Sequence, residues 1–112
     1  MRGISSAQLK YLKAKAFHDA LYNEYLERTK ELNFDEDFDK AFWESERIRE
    51  ELNLSEAERK LTEAEEELIN WLKKKVQNLP GYDDNIEKVF KARRLLNIRK
   101  KLVGLALNLK DE

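Results

Sequence analysis

Apolar residues recur every three or four positions along most of the chain, and nowhere does a clear apolar/polar alternation mark a strand. That period predicts an all-α protein with four helical segments, at about 5–32, 36–52, 56–77 and 85–109. Cap signals mark the boundaries. Ser5 and Gln8 form a capping box, in which each side chain satisfies a free backbone N–H, and Ile4 and Leu9 flank it as a hydrophobic staple. The stretch "NFDED" interrupts the first segment and offers Asp35 as the next cap. Ser55 with Glu58 is a second box, and Asp84 with Glu87 a third, with Asp in the capping place. Between these, "NLPGYDD" is the clearest turn. Connections this short set sequential helices antiparallel, so the expected architecture is a single-domain up-down bundle.

The faces are read from the same period. In the third segment Leu61, Ala64, Leu68, Trp71, Leu72, Val76 and Leu79 share one stripe. The second places Phe38, Ala41, Phe42, Ile48 and Leu52 on one side, interrupted by Ser45 and Arg49, with Trp43 pointing away. The first carries two apolar sides. Leu9, Leu12, Ala16, Phe17 and Ala20 form one; Tyr11, His18, Tyr22 and Tyr25 form the other. This predicts a central helix packed between two neighbours. The second reading of its tyrosine side is a partner-binding face, since Tyr gives large contact area at low entropic cost.

The last segment is the most apolar. Leu95, Ile98, Leu102, Leu105 and Leu109 keep heptad spacing, and Leu96, Val103, Ala106 and Leu107 widen them to an arc of roughly 200°. Its first turns present Ile86, Val89 and Phe90 toward the side that later becomes polar. Drift of about 20° per heptad is too small for that change. The two halves therefore face different neighbours, or a bend separates them. Because one neighbour covers one stripe, the arc is expected to meet a second copy or a partner's helix, most simply in a homodimer.

Composition narrows the field. The chain has 112 residues, 40% of them charged, with three glycines, one proline and no cysteine. Disulfides and thiolate metal sites are excluded, and a cytoplasmic setting is the default expectation. The N-terminal stretch has no signal-peptide core. The longest apolar run, "LVGLALNL", falls far short of the roughly 20 residues that span a bilayer, so no membrane role is expected. The net charge of −1 conceals a gradient, with fifteen acidic and five basic residues over 31–70 and eleven basic and five acidic over 71–112. Acidic and basic parts can pair within the chain or address separate partners. Arg93, Arg94, Lys100 and Lys101, with Lys88 and Lys91 upstream, form the stripe that could follow a phosphate backbone, the basis of an alternative reading as a nucleic-acid-associated protein.

Catalytic chemistry has little to stand on. His18 is the one histidine and is preceded three positions earlier by Lys15, so no Glu-x-x-His metal motif is present. No glycine-rich phosphate loop or nucleophile elbow occurs. No metal ligands, cofactor or catalytic residues are assigned. Carboxylates three apart on a helix can share Mg²⁺, and Glu63 with Glu66 and Asp84 with Glu87 are two such pairs. Their order is distantly similar to the all-α nucleoside-triphosphate pyrophosphohydrolases, over four residues and with a departure in the second motif. That resemblance implies a third reading, Mg-dependent nucleotide hydrolysis. The first remains a non-enzymatic helical module for protein–protein interaction, an adaptor, chaperone-like protein or inhibitor. Consistent capping of this kind is also shared with engineered bundles.

Overall fold

The computed structural model describes residues 3–110. Five helices follow one another: α1 (Ser6–Thr29), α2 (Phe38–Glu51), α3 (Leu54–Gln77), α4 (Asp84–Lys91) and α5 (Leu96–Asn108). There is no strand among the described residues, so the all-α class holds. The segment expected as one fourth helix is two, which corrects the count. The chain divides into two compact units, one of residues 13–62 and one of residues 1–12 with 63–112. The division falls inside α1 and inside α3.

In the unit of residues 13–62, α2 is capped by Asp37, whose carboxylate accepts from the Lys40 amide at 3.1 Å. The cap expected at Asp35 is displaced because Asn33 shapes the preceding turn, its side-chain oxygen accepting from the Asp35 and Glu36 amides. Ala41, Ser45 and Ile48 form the buried stripe of α2. The Ser45 hydroxyl is no liability there, since it donates to the Phe42 carbonyl at 2.7 Å. Phe38 and Phe42, expected on that stripe, sit at its margin and are exposed. The corner into α3 turns on Asn53, held at φ +53°, a conformation Asn tolerates better than most residues. Helix α3 then starts at Leu54, which is fully buried. Ser55 therefore lies within the helix rather than capping it, and Glu58 pairs with Arg49. Arg49 also lies over the Tyr25 ring at 5.8 Å, and Arg28 meets Glu51 at 2.5 Å. These contacts join α1 to α2 and α2 to α3.

In the other unit, Ala64, Leu68 and Leu72 of α3 are buried as their stripe predicts, and Ile69 joins them. Trp71 is only half-buried and Leu79 is exposed, so the stripe loosens toward its end. Gly81 at φ +91° makes the turn that follows. Asp83, one residue before the expected cap, accepts from the Asn85 and Ile86 amides at 3.0 and 3.1 Å and starts α4. The helix ends at Ala92, whose amide is shared by the Lys88 and Val89 carbonyls. Leu95 is extended, and α5 starts without a side-chain cap. The rotation of the apolar face between Phe90 and Leu95 is thus made by a break. Arg99 closes it, bonding to the Arg93 carbonyl at 3.4 Å and to Glu66 of α3 at 3.3 Å.

Helix α1 departs from its predicted central role. Leu9, Leu12, Ala16, Phe17 and Ala20 are all exposed, while Tyr11 is buried and His18 and Tyr25 are half-buried. On the tyrosine side Tyr11, His18 and Tyr25 are covered and Tyr22 is not. Rings that bring both apolar area and a polar tip take the packed position, and the aliphatic side is left without a neighbour.

Candidate functional site

Four aromatic residues of the 13–62 unit gather into one exposed run. Phe34 meets Phe38 edge-on with ring centroids 6.0 Å apart, Phe38 stacks on Phe42 at 6.0 Å, and Phe42 meets Trp43 edge-on at 5.3 Å. The four are 41, 61, 40 and 69% exposed. The run exists because α2 begins at Phe38. Phe42 then lies one turn further on the same side, and the turn before the helix brings Phe34 alongside. An acidic cleft of about 330 Å³ lies in the same region, lined by Glu31, Glu36, Asp37 and Glu44 with Lys40. Sequence reasoning missed the run as a site by assigning Phe38 and Phe42 to the core and Phe34 to a breaker. The signal was the four-residue spacing of the three phenylalanines.

The tyrosine side of α1 is brought together in part. His18 stacks on Tyr22 at 5.8 Å and Tyr22 on Tyr25 at 6.1 Å, with Tyr22 exposed. Tyr11 belongs to the other unit and is buried. His18 Nδ1 lies 3.1 Å from Asp19, whose carboxyl is held below its usual value first by the hydrogen bond from Lys15 and then by that from His18. That chain of contacts orders the helix surface and sets up no nucleophile.

The heptad residues of the last segment separate. Leu102 is 2% exposed and belongs to the core, whereas Leu105 is 61% exposed. Leu95 and Leu96 are also exposed, at the break, and Ile98 and Leu109 are half-buried. Leu105 and Leu109 border an apolar groove of about 460 Å³, walled by Leu72, Val76 and Leu79 from α3 and its end, and by Val89 and Phe90 from α4. Phe90 also lines a second cleft of about 260 Å³, which is basic, with Lys73, Lys91, Arg93 and Arg94 beside Glu87. The groove and the basic cleft therefore adjoin.

The basic stripe is partly committed to the fold. Arg93 pairs with Glu66 at 2.7 Å and bonds to Asn70 at 2.9 Å. Arg94, Lys100 and Lys101 are exposed. Of the two acidic pairs, Glu66 is held by Arg93 and Arg99, and Glu87 by Tyr82 and Lys73. The Glu87 carboxyl is held below its usual value first by the Tyr82 hydroxyl and next by Lys73. No group of three or more His, Cys, Asp or Glu among the described residues is disposed to hold a metal ion. No helix among them is long and apolar enough to cross a membrane.

The surfaces of this all-helical chain that are rich in chemistry are thus apolar and flanked by charge. Compared with protein-family models, curated protein sequences and solved structures, the chain matches none.

Proposed function

We propose that the protein is a non-catalytic helical interaction module that associates with further copies of itself. One observation carries this reading: the Phe34, Phe38, Phe42 and Trp43 rings form a contiguous exposed patch, the largest side chains in a strongly charged surrounding. Scattered apolar residues on a surface mean little, but a contiguous aromatic patch rimmed by polar groups marks a contact surface. Aromatic side chains are also the residues that anchor interfaces. Exposed Leu95, Leu96 and Leu105 extend the same tendency to the last helices. One carboxylate of each acidic pair, Glu66 and Glu87, is committed to neighbouring side chains, as is His18, so the reading does not rest on hydrolysis.

Sedimentation velocity over a wide concentration range tests the proposal. The sedimentation coefficient rises with concentration, and Trp43 fluorescence shifts to shorter wavelength as its ring is covered. A wild-type chain that stays monomeric into the high micromolar range refutes it.

A further inference from the structure

We propose that the groove formed by α3, α4 and α5 receives the aromatic run of a second copy of this chain. The inference rests on the self-association above and names its two surfaces. Each offers an apolar feature beside a charged cleft, and the charges are opposite. On one side Phe38 and Phe42 stand one helical turn apart as a stacked pair, beside the cleft of Glu31, Glu36, Asp37 and Glu44. On the other, the groove has room for apolar rings, and through Phe90 it adjoins the cleft of Lys73, Lys91, Arg93 and Arg94.

Charge decides how copies pair. Joining aromatic run to aromatic run sets two acidic clefts together, and joining groove to groove sets two basic clefts together. Like charges brought into a desolvated contact repel strongly, whereas the crossed pairing places each cleft against its complement. Among the described residues Asp35, Glu36 and Asp39 make no ion pair, and Arg94 makes none either, so both sides keep charge free for the contact. Burial of Phe38 and Phe42 supplies the attraction, and the clefts fix the register. The two joined patches differ, so the contact is heterologous in the sense that each copy offers one donor surface and one acceptor surface.

Such a contact has a distinctive test, complementation between variants of the full chain. Leu105→Glu places a charge in the groove, and Phe38→Glu places one in the aromatic run; both positions are exposed, so helicity stays near wild type, as does the melting temperature at dilutions where the wild type is dissociated. Each variant alone associates at least about 30-fold more weakly than wild type, the loss expected for an interface anchor. An equimolar mixture recovers association and stops at a one-to-one pair, because one intact groove and one intact run remain. A second pair of variants works through charge alone. Arg94→Glu weakens association, and Glu36→Lys in the partner copy restores it. A mixture that stays monomeric overturns the inference, as does a Leu105→Glu variant that associates like wild type. That last outcome leaves self-association standing while removing the groove from it, whereas a monomeric wild type removes both.

Discussion

Gln8 is a polar residue buried as deeply as the apolar core, and its replacement should cost the fold heavily. It is 1% exposed, and its amide closes both ends of a helix pair. The side-chain oxygen accepts from the Ser5 amide at 2.6 Å, completing the capping box with Ser5 Oγ on the Gln8 amide at 3.1 Å. The side-chain nitrogen donates to the Ala106 carbonyl at 2.7 Å and the Leu109 carbonyl at 2.6 Å, groups that α5 leaves without helical partners. Gln8→Ala therefore strands three backbone groups. An unmet buried group costs about 1–3 kcal/mol, less where water reaches it. Leu109 is half-buried, so its carbonyl recovers some hydration. The expected loss is about 3–5 kcal/mol, a large share of the roughly 5–15 kcal/mol typical of a domain. Urea unfolding followed by circular dichroism measures it. Gln8→Leu separates hydrogen bonding from packing, because it refills the volume and restores none of the bonds. If polar satisfaction dominates, it falls close to Gln8→Ala. In Gln8→Glu the introduced carboxylate faces two carbonyl oxygens, which raises its pKa on folding. Its deficit is then largest at neutral pH and shrinks as acid supplies a donor proton. A loss below about 1 kcal/mol for Gln8→Ala, or full recovery in Gln8→Leu, would refute the reasoning.

Three further outcomes follow from single contacts. Replacing Asn53, at φ +53°, by Val should destabilise by about 1–2 kcal/mol, while Asn53→Gly should be neutral or better; equal melting temperatures for the two would contradict the strained corner. Glu87 has its pKa lowered on folding, so the stability it contributes is present above its unfolded value and is lost as pH falls through the folded one; Glu87→Gln should flatten the acid limb of the stability–pH curve, and an unchanged limb would count against the Tyr82 and Lys73 contacts. In single-tryptophan variants acrylamide, a neutral quencher that the surrounding charges neither attract nor repel, should quench Trp43 more than Trp71, because Trp43 is 69% exposed and Trp71 is half-buried under Lys75; equal quenching in the monomer would show the two environments are alike.

Helix existence was legible from the 3.6-residue period, and so was the Ser5–Gln8 box, because both depend on residues a few positions apart. Other caps slipped by one or two residues. Asp35, Asp37, Asp83 and Asp84 are all chemically able to cap, and only the path of the preceding turn chooses among them. Facing was harder. The period tells which side chains share a side but not which side finds a neighbour, and on α1 two sides competed. Tyr11, His18 and Tyr25 took the covered one, leaving Leu12 and Phe17 in water. The same ambiguity put Phe38 and Phe42 in the expected core, about one residue's rotation away from the true stripe of Ala41, Ser45 and Ile48. Gln8's long-range role had no local signal at all, since its partners are about a hundred positions away.

The charge gradient shows where pairing within the chain stops. Sequence alone allowed the acidic middle to neutralise the basic end, and at Glu65 and Glu66 it does, through Arg93 and Arg99. Lys10 and Glu67 add a contact across α1 and α3, and Lys73 meets Glu87. Elsewhere the acids of the middle find partners close by, Glu44 and Glu51 in Arg47 and Glu56 in Arg59. The turn around Phe34 and the start of α2 are different. Asp35, Glu36 and Asp39 surround exposed rings with a single lysine, Lys40, between them and Glu44. Acid at the start of α2 complements the helix dipole and so has a structural reason of its own, but the exposed rings have none, and a contiguous aromatic patch marks a contact surface. The proposed contact uses the two together, setting rings and acid against a surface that is apolar and basic. The groove beside Phe90, with Arg94 unpaired at its basic end, is such a surface.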